Sequence, residues 1–214
     1  MRIKWLGQSC FMITSDSGTK IITDPYKIER GLRWSRIEES ADIVTVSHEH
    51  FDHNNISAVQ GNPKVVRETV QVKGIKFRAI PTYHDNAKGS QMGNNTVFCF
   101  EVDGVNVCHA GDLGHMLSDA EVAEIGKVDV LLVPTGGTYT IDAKTATKIY
   151  EEIGPSVVIP MHFSCEKLIS DVIASIDGFI QGKKNVIRLD SSEIEFKSGD
   201  LPASTEIILL KSAK

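Results

Sequence analysis

Much of what this chain does can be bounded by what it lacks. No uninterrupted apolar run in its 214 residues approaches the ~18 that mark a membrane span, so no membrane partner is expected. The start, Met1-Arg-Ile-Lys-Trp-Leu-Gly7, has no apolar core of the signal-peptide kind. Adjacent basic residues are limited to isolated pairing, as at Lys183-Lys184, and the net charge is −5, so nucleic acid is not the expected partner either. Cysteine is scarce, and four cysteines in such a protein are expected to stay reduced, as in the cytoplasm. Low-complexity segments, linkers and short-period repeats are also missing, which leaves one domain over residues 1–214. A homo-oligomer is allowed by the composition and not required by it.

What remains is ordinary for a globular enzyme-sized domain: 41% hydrophobic and 24% charged residues. A compact chain of this length buries roughly 70% of the surface its unfolded form exposes, enough for a core that needs no staples.

The chemistry is concentrated in Asp42-Ile-Val-Thr-Val-Ser47-His48-Glu49-His50-Phe51-Asp52-His53. A β-branched strand ends there in three histidines and an aspartate within six positions. In extended chain, residues two apart share a side, so His48 and His50 can close on one cation. Asp52 and His53 open what reads as a short helix, Asn54 to Gln60, and so face a second direction. Solvated turns favour Asn, Asp, Gly and Ser and rarely concentrate imidazoles. Imidazole and carboxylate are ordinary ligands of zinc and related metals.

Taken in order, residues 2–24 read as three strands, with Asp16-Ser-Gly18 as a turn and Asp24-Pro25 closing the third. Residues 64–80 alternate in the strand manner and lead to His84. Thr96–Val102 and Val105–His109 flank Asp103-Gly104, a preferred pair for a two-residue turn, which sets Cys99 opposite Cys108. That hairpin delivers Asp112. A helix capped by Ser118 with Glu121 three residues on, a buried strand at 128–133 and a helix over 142–153 follow. The strand Ser156-Val-Val-Ile159 then delivers His162. Periodicity predicts a helix over 165–179 and edge strands in the tail.

The string His48-x-His50-x-Asp52-His53, followed by His84, Asp112 and His162 after successive strands, resembles the metallo-β-lactamase superfamily of metal-dependent hydrolases. The resemblance implies an α/β four-layer αβ/βα sandwich of two mixed sheets with outer helices. It also implies a binuclear centre: His48, His50 and His84 in one site, Asp52, His53 and His162 in the other, Asp112 bridging. Two divalent metal ions are expected, zinc before manganese or iron. Seven N/O ligands around two ions ~3.5–4 Å apart leave room for a bridging water, so a metal-bound hydroxide is the expected nucleophile. Trp5-Leu-Gly7, Ile22-Thr-Asp24-Pro25, Gly136-Gly137-Thr-Tyr139-Thr and Val158-Ile-Pro-Met-His162 are similar to the branch with ascorbate-6-phosphate lactonase-like and N-acylphosphatidylethanolamine phospholipase D-like proteins. Asp112 stands where zinc β-lactamases of the main type carry cysteine, which argues against antibiotic hydrolysis.

The expected substrate is a small molecule: a lactone, a carboxylic ester or a phosphodiester. The competing expectation is a non-hydrolytic redox or regulatory protein on the same scaffold. Asp52 is the candidate catalytic residue, holding a cation and orienting the nucleophile, and His115 is a candidate proton donor to the leaving group. Asp24 either orients a ligand histidine from behind, as the resemblance implies, or starts a turn. His109 reads as an interior histidine. Tyr139 reads as a substrate contact or a plain rim residue. The basic stretch Tyr26–Arg36, with Arg30, Arg33 and Arg36, either meets an anionic substrate at the rim or is a solvated face.

Overall fold

In the computed structural model, which describes residues 1–29, 32–168 and 172–214, the strands run in chain order. They are β1 (Arg2–Gly7), β2 (Cys10–Thr14), β3 (Lys20–Thr23), β4 (Ile43–Thr45), β5 (Lys64–Val66), β6 (Val70–Val72) and β7 (Ile75–Tyr83). Then come β8 (Asn94–Val102), β9 (Val105–His109), β10 (Val130–Pro134), β11 (Val157–Met161), β12 (Val186–Arg188), β13 (Glu193–Glu195) and β14 (Glu206–Leu209). The helices are α1 (Asp119–Ile125), α2 (Ala143–Ile153) and α3 (Asp177–Ile180).

Two mixed sheets result, ordered β13-β1-β2-β3-β4-β5 and β12-β14-β11-β10-β9-β8-β7-β6. Strand periodicity explains how they stack. In β10, Val130 and Leu132 join the core shared with the first sheet, while Leu131 and Val133 join a second core beneath the helices. In β11, Val157 and Ile159 face the shared core and Val158 faces the second one. Each fully buried side chain of this kind contributes ~1.5–3 kcal/mol. The second core is closed by Ile149 and Tyr150 of α2 and Phe179 of α3. Between β4 and β5 the described residues include one 3-10 turn, Ile56–Ala58, whose Ile56 and Ala58 pack against the shared core. None of the helices is long and apolar enough to cross a membrane.

The expected local signals operate. Asp103 and Gly104 take φ of 51° and 76°, as a tight hairpin turn needs, and Cys99 pairs with Cys108. Glu121 N donates to Ser118 Oγ, Ser118 N donates back to the Glu121 carboxylate, and α1 starts there. Asp142 caps α2, and Gly154 ends it at φ 67°.

Three expectations need correction. The helix over Asn54–Gln60 shrinks to the 3-10 turn, because Asn55 makes no side-chain cap and Gln60 N is captured by Glu39 O. The helix over 165–179 is confined to α3; before it, the described backbone bonds to neighbouring segments, Ser164 N with Ala174 O and Ala174 N with Gly136 O. Residues 169–171 lie outside the described residues. In the tail, β12 and β13 are edges, but β14 lies inside its sheet between β12 and β11, with Ile207 and Ile208 buried.

Candidate metal centre

Each histidine and carboxylate of the expected set leaves a strand at the same end of the sandwich: His48 to His53 after β4, His84 after β7, Asp112 after β9, His162 after β11. After β4 the chain reverses tightly, with His53 N and Asn54 N both donating to His50 O. That turn separates His48 and His50 from Asp52 and His53. Asp112 is reached through Gly111, whose φ is 56°; a Cβ there would lie 2.6 Å from Ser47 Cβ. His162 itself has φ 50°, a strained value for a residue with a Cβ.

The ligand atoms fall into two groups, His48 with His50 and His84, and Asp52 with His53, Asp112 and His162, all within 4.8 Å inside each group. Asp112 Oδ2 stands between them. It lies 3.1 Å from His53 Nε2, 3.3 Å from His162 Nε2, 3.4 Å from His84 Nε2 and 4.0 Å from His48 Nε2. His48 Nε2 is 3.0 Å from His50 Nδ1. The donors are nitrogen and oxygen only, the set suited to zinc, manganese or iron. His53 Nε2 is buried with no hydrogen-bond partner, and a cation would satisfy it.

Asp24 sets the orientation of this cluster from behind. Fully buried, it accepts from Ser47 N at 2.8 Å, from Ser47 Oγ at 2.5 Å and from His53 Nδ1 at 2.9 Å. Ser47 spends its proton on Asp24, so its oxygen accepts from His48 Nδ1 at 2.9 Å. Both imidazoles therefore carry hydrogen on Nδ1 and turn Nε2 toward the centre. Burial would raise the Asp24 carboxyl, but His109 and His53 hold it below its ordinary value. A third grouping, Asp24 with His48 and His53, is close enough to hold a cation, but both Asp24 oxygens are already committed.

Electrostatics divides the cluster. Burial, and then the charge of His53, pushes His48 down to about 3, and burial with His84 lowers His50. His53 and His162 move up against the burial that would lower them, chiefly because of Asp112. Burial opposes ionisation of Asp52 and Asp112, yet the imidazoles of His53 and His162 hold both carboxyls low. Above the cluster opens a cleft of about 380 Å³ with His50, Asp52, His84, Asp112 and His162 on its lining. Phe51, Met92, Leu168 and Ile173 give it an apolar side opposite these polar groups, a combination suited to a small-molecule site.

The remaining candidates are placed as follows. His109 donates from Nε2 to Ser9 O at 2.8 Å and accepts from Gly111 N at 3.2 Å, which occupies both nitrogens inside the fold. His115 stands apart from the cluster: Nε2 accepts from Tyr83 N at 3.1 Å and Nδ1 donates to Met116 O at 2.9 Å. Tyr139 is exposed at the rim and lines the cleft. Arg33 and Arg36 are exposed, and neither Lys nor Arg is among the described residues lining the cleft. Arg30 lies outside the described residues.

Four supports went unread in the sequence. Gln8 Nε2 donates to Asp52 Oδ2 at 3.0 Å, and Ser9 Oγ donates to Asp112 Oδ1 at 3.4 Å. Asn95 accepts from Asp112 N at 3.0 Å while its amide donates to Ala110 O and Thr82 Oγ1. Ser47 is the fourth. As polar residues at strand ends they carry no signal that distinguishes them from ordinary turn residues.

Residues 2–162 match the β-lactamase superfamily domain. A UPF0173 metal-dependent hydrolase of Methanoculleus marisnigri is 30% identical over 76% of this chain and 81% of its own length. Another, from Thermococcus onnurineus, is 26% identical over 91% and 98%. A solved structure from Thermotoga maritima, a protein of the metallo-β-lactamase superfamily, is 34% identical, covers 98% of this chain and 97% of its own, and superposes with a TM-score of 0.80. The clustered ligands and these likenesses agree: the chain belongs to the β-lactamase superfamily and, within it, to the UPF0173 family of metal-dependent hydrolases.

Proposed function

We propose that the protein hydrolyses a small, uncharged carboxylic acid derivative, a lactone or ester, at a centre of two divalent cations, zinc before manganese or iron. One observation carries the two-cation reading: Asp112 Oδ2 lies between two donor groups that face different ways, within 3.4 Å of imidazole nitrogens from both. His48, His50 and His84 would hold one ion; Asp52, His53 and His162 the other; Asp112 both. When bound, such ions supply Lewis acidity and make water nucleophilic near neutral pH.

The chain's own residues do the rest. Asp24 and Ser47 keep the Nε2 atoms of His53 and His48 aimed inward. Asp52, on the cleft lining and held as a carboxylate, orients the attacking water by accepting a hydrogen bond from it. Phe51, Met92, Leu168 and Ile173 exclude bulk water and receive the apolar part of the substrate. His115 is given no part, since backbone groups occupy both of its nitrogens.

The likeness in sequence to the ascorbate-6-phosphate lactonase-like and N-acylphosphatidylethanolamine phospholipase D-like branch leaves lactone, ester and phosphodiester chemistry open. A described lining without Lys or Arg favours the neutral substrates over phosphodiesters. The four unbridged cysteines support work in the reducing cytoplasm. The test is a screen of zinc-, manganese- and iron-reconstituted protein against generic lactones, esters and phosphodiesters, with metal counted by elemental analysis. Turnover of neutral substrates with close to two metals per chain is expected. Full metal loading without any turnover would sink the hydrolytic reading and favour the redox or regulatory one.

A further inference from the structure

Gln8 occupies the turn after β1 with a backbone φ of 51°. This left-handed conformation costs free energy for any residue with a Cβ and persists where the surroundings enforce it. The residue is 2% exposed, yet it lines the cleft. Its Nε2 donates to Asp52 Oδ2 at 3.0 Å. A carboxylate can only accept, so the NH₂ of the amide must face Asp52 and the oxygen must face away. That oxygen, Oε1, is buried and has no hydrogen-bond partner. Buried polar atoms are nearly always paired, so an orphaned acceptor beside a reaction site points to a partner that arrives with the reaction.

We propose that Gln8 is a positioning residue of this centre: its NH₂ fixes Asp52, and its Oε1 receives a hydrogen-bond donor entering beside Asp52. The donor is the attacking water or an O–H or N–H of the substrate. The assignment rests on the two-cation hydrolytic reading above. It explains why a long amide is kept in a strained turn where Gly or Asn would sit at lower cost.

Two variants test it. Gln8→Met keeps the length of the side chain and removes both polar ends; Gln8→Gly relieves the backbone. In zinc-chelator competition, both should bind one of two zinc ions ~10–100-fold more weakly, the scale for losing a group that orients a ligand, and the other ion as in wild type. Gln8→Gly should melt no lower than wild type when metal-free, because the residue serves the site and not the fold. Zinc affinity unchanged in both variants overturns the proposal. The source of the donor is read from kcat of Gln8→Met on 4-nitrophenyl acetate and 4-nitrophenyl hydroxyacetate. An equal fall on both assigns the donor to water, and a fall confined to the hydroxyacetate assigns it to the substrate. No fall on either overturns the acceptor role. The function proposed above fails on the wild type alone, through one zinc per chain or no hydrolysis, so the two failures are told apart.

Discussion

The two donor groups of the candidate metal centre flank one carboxylate, Asp112, but are prepared in opposite ways. In the half built by His48, His50 and His84, burial leaves His48 and His50 neutral, with His48 down at about 3. In the half built by Asp52, His53 and His162, the carboxylates of Asp112 and Asp52 keep both imidazoles protonated above their usual range, against the pull of burial. The first half offers lone pairs at once. The second holds protons where a cation would sit, so each ion bound there must release them. Proximity to carboxylate, more than depth of burial, separates the two: His53 is the more deeply buried and still moves up, while His48 moves down.

The largest effect that would sharpen this contrast is expected at Asp52, the one carboxylate belonging to the second half alone. Asp52→Asn keeps the shape and the contact with Gln8 but removes the charge that orients water. Turnover on whichever generic substrate the wild type accepts should fall at least ~100-fold with the fold intact by circular dichroism. A variant that keeps its metals and its full rate would leave Asp52 without a catalytic role. Next in size is the loss of one ion. His84→Ala should empty the first half selectively, so elemental analysis should move from about two metals per chain toward one. Both ions surviving, or both leaving together, would break the division into halves.

Acid should separate the halves more gently. The raised groups, His53 and His162, lie in the second half, so protons compete hardest there, and falling pH raises the competitor. Between pH 8 and 6 the second zinc should weaken more steeply than the first, and calorimetry in buffers of differing ionisation enthalpy should find more protons released with it. Equal slopes for the two ions would show that the contrast does not survive metal binding.

The clustering of histidines and carboxylates was legible in the sequence because metal chemistry would need rare side chains at the ends of strands, and both the strands and the imidazoles show in a string of letters. Their supports were not. Gln8, Ser47 and Asn95 matter through hydrogen bonds to residues 17 to 44 positions away or to an immediate neighbour, and nothing local marks them. The place of His115 was equally hidden. It lies three positions from Asp112, but its ring is bonded to Tyr83 N and Met116 O, pairings that no local pattern announces. Over 165–179, helical periodicity lost to pairing with distant segments, a tertiary effect that no local pattern encodes.

The smallest expected effect concerns the hairpin that delivers Asp112. Cys99 and Cys108 stand directly opposite each other on β8 and β9, both buried against the helix-facing core. Register alone would let them bridge. Exchange, however, needs an accessible thiolate: their mutual contact favours the thiolate on Cys99 and disfavours it on Cys108, but both sulfurs are buried away from any oxidant. Burial pushes the Cys10 thiol up. All four thiols should therefore be free: titration of the denatured, unreduced protein should count four. Dithiothreitol should leave melting temperature and zinc stoichiometry where they were. Two missing thiols would show that the pair had closed and would point to an oxidising compartment, since a buried cross-strand bridge forms where an oxidant acts during folding.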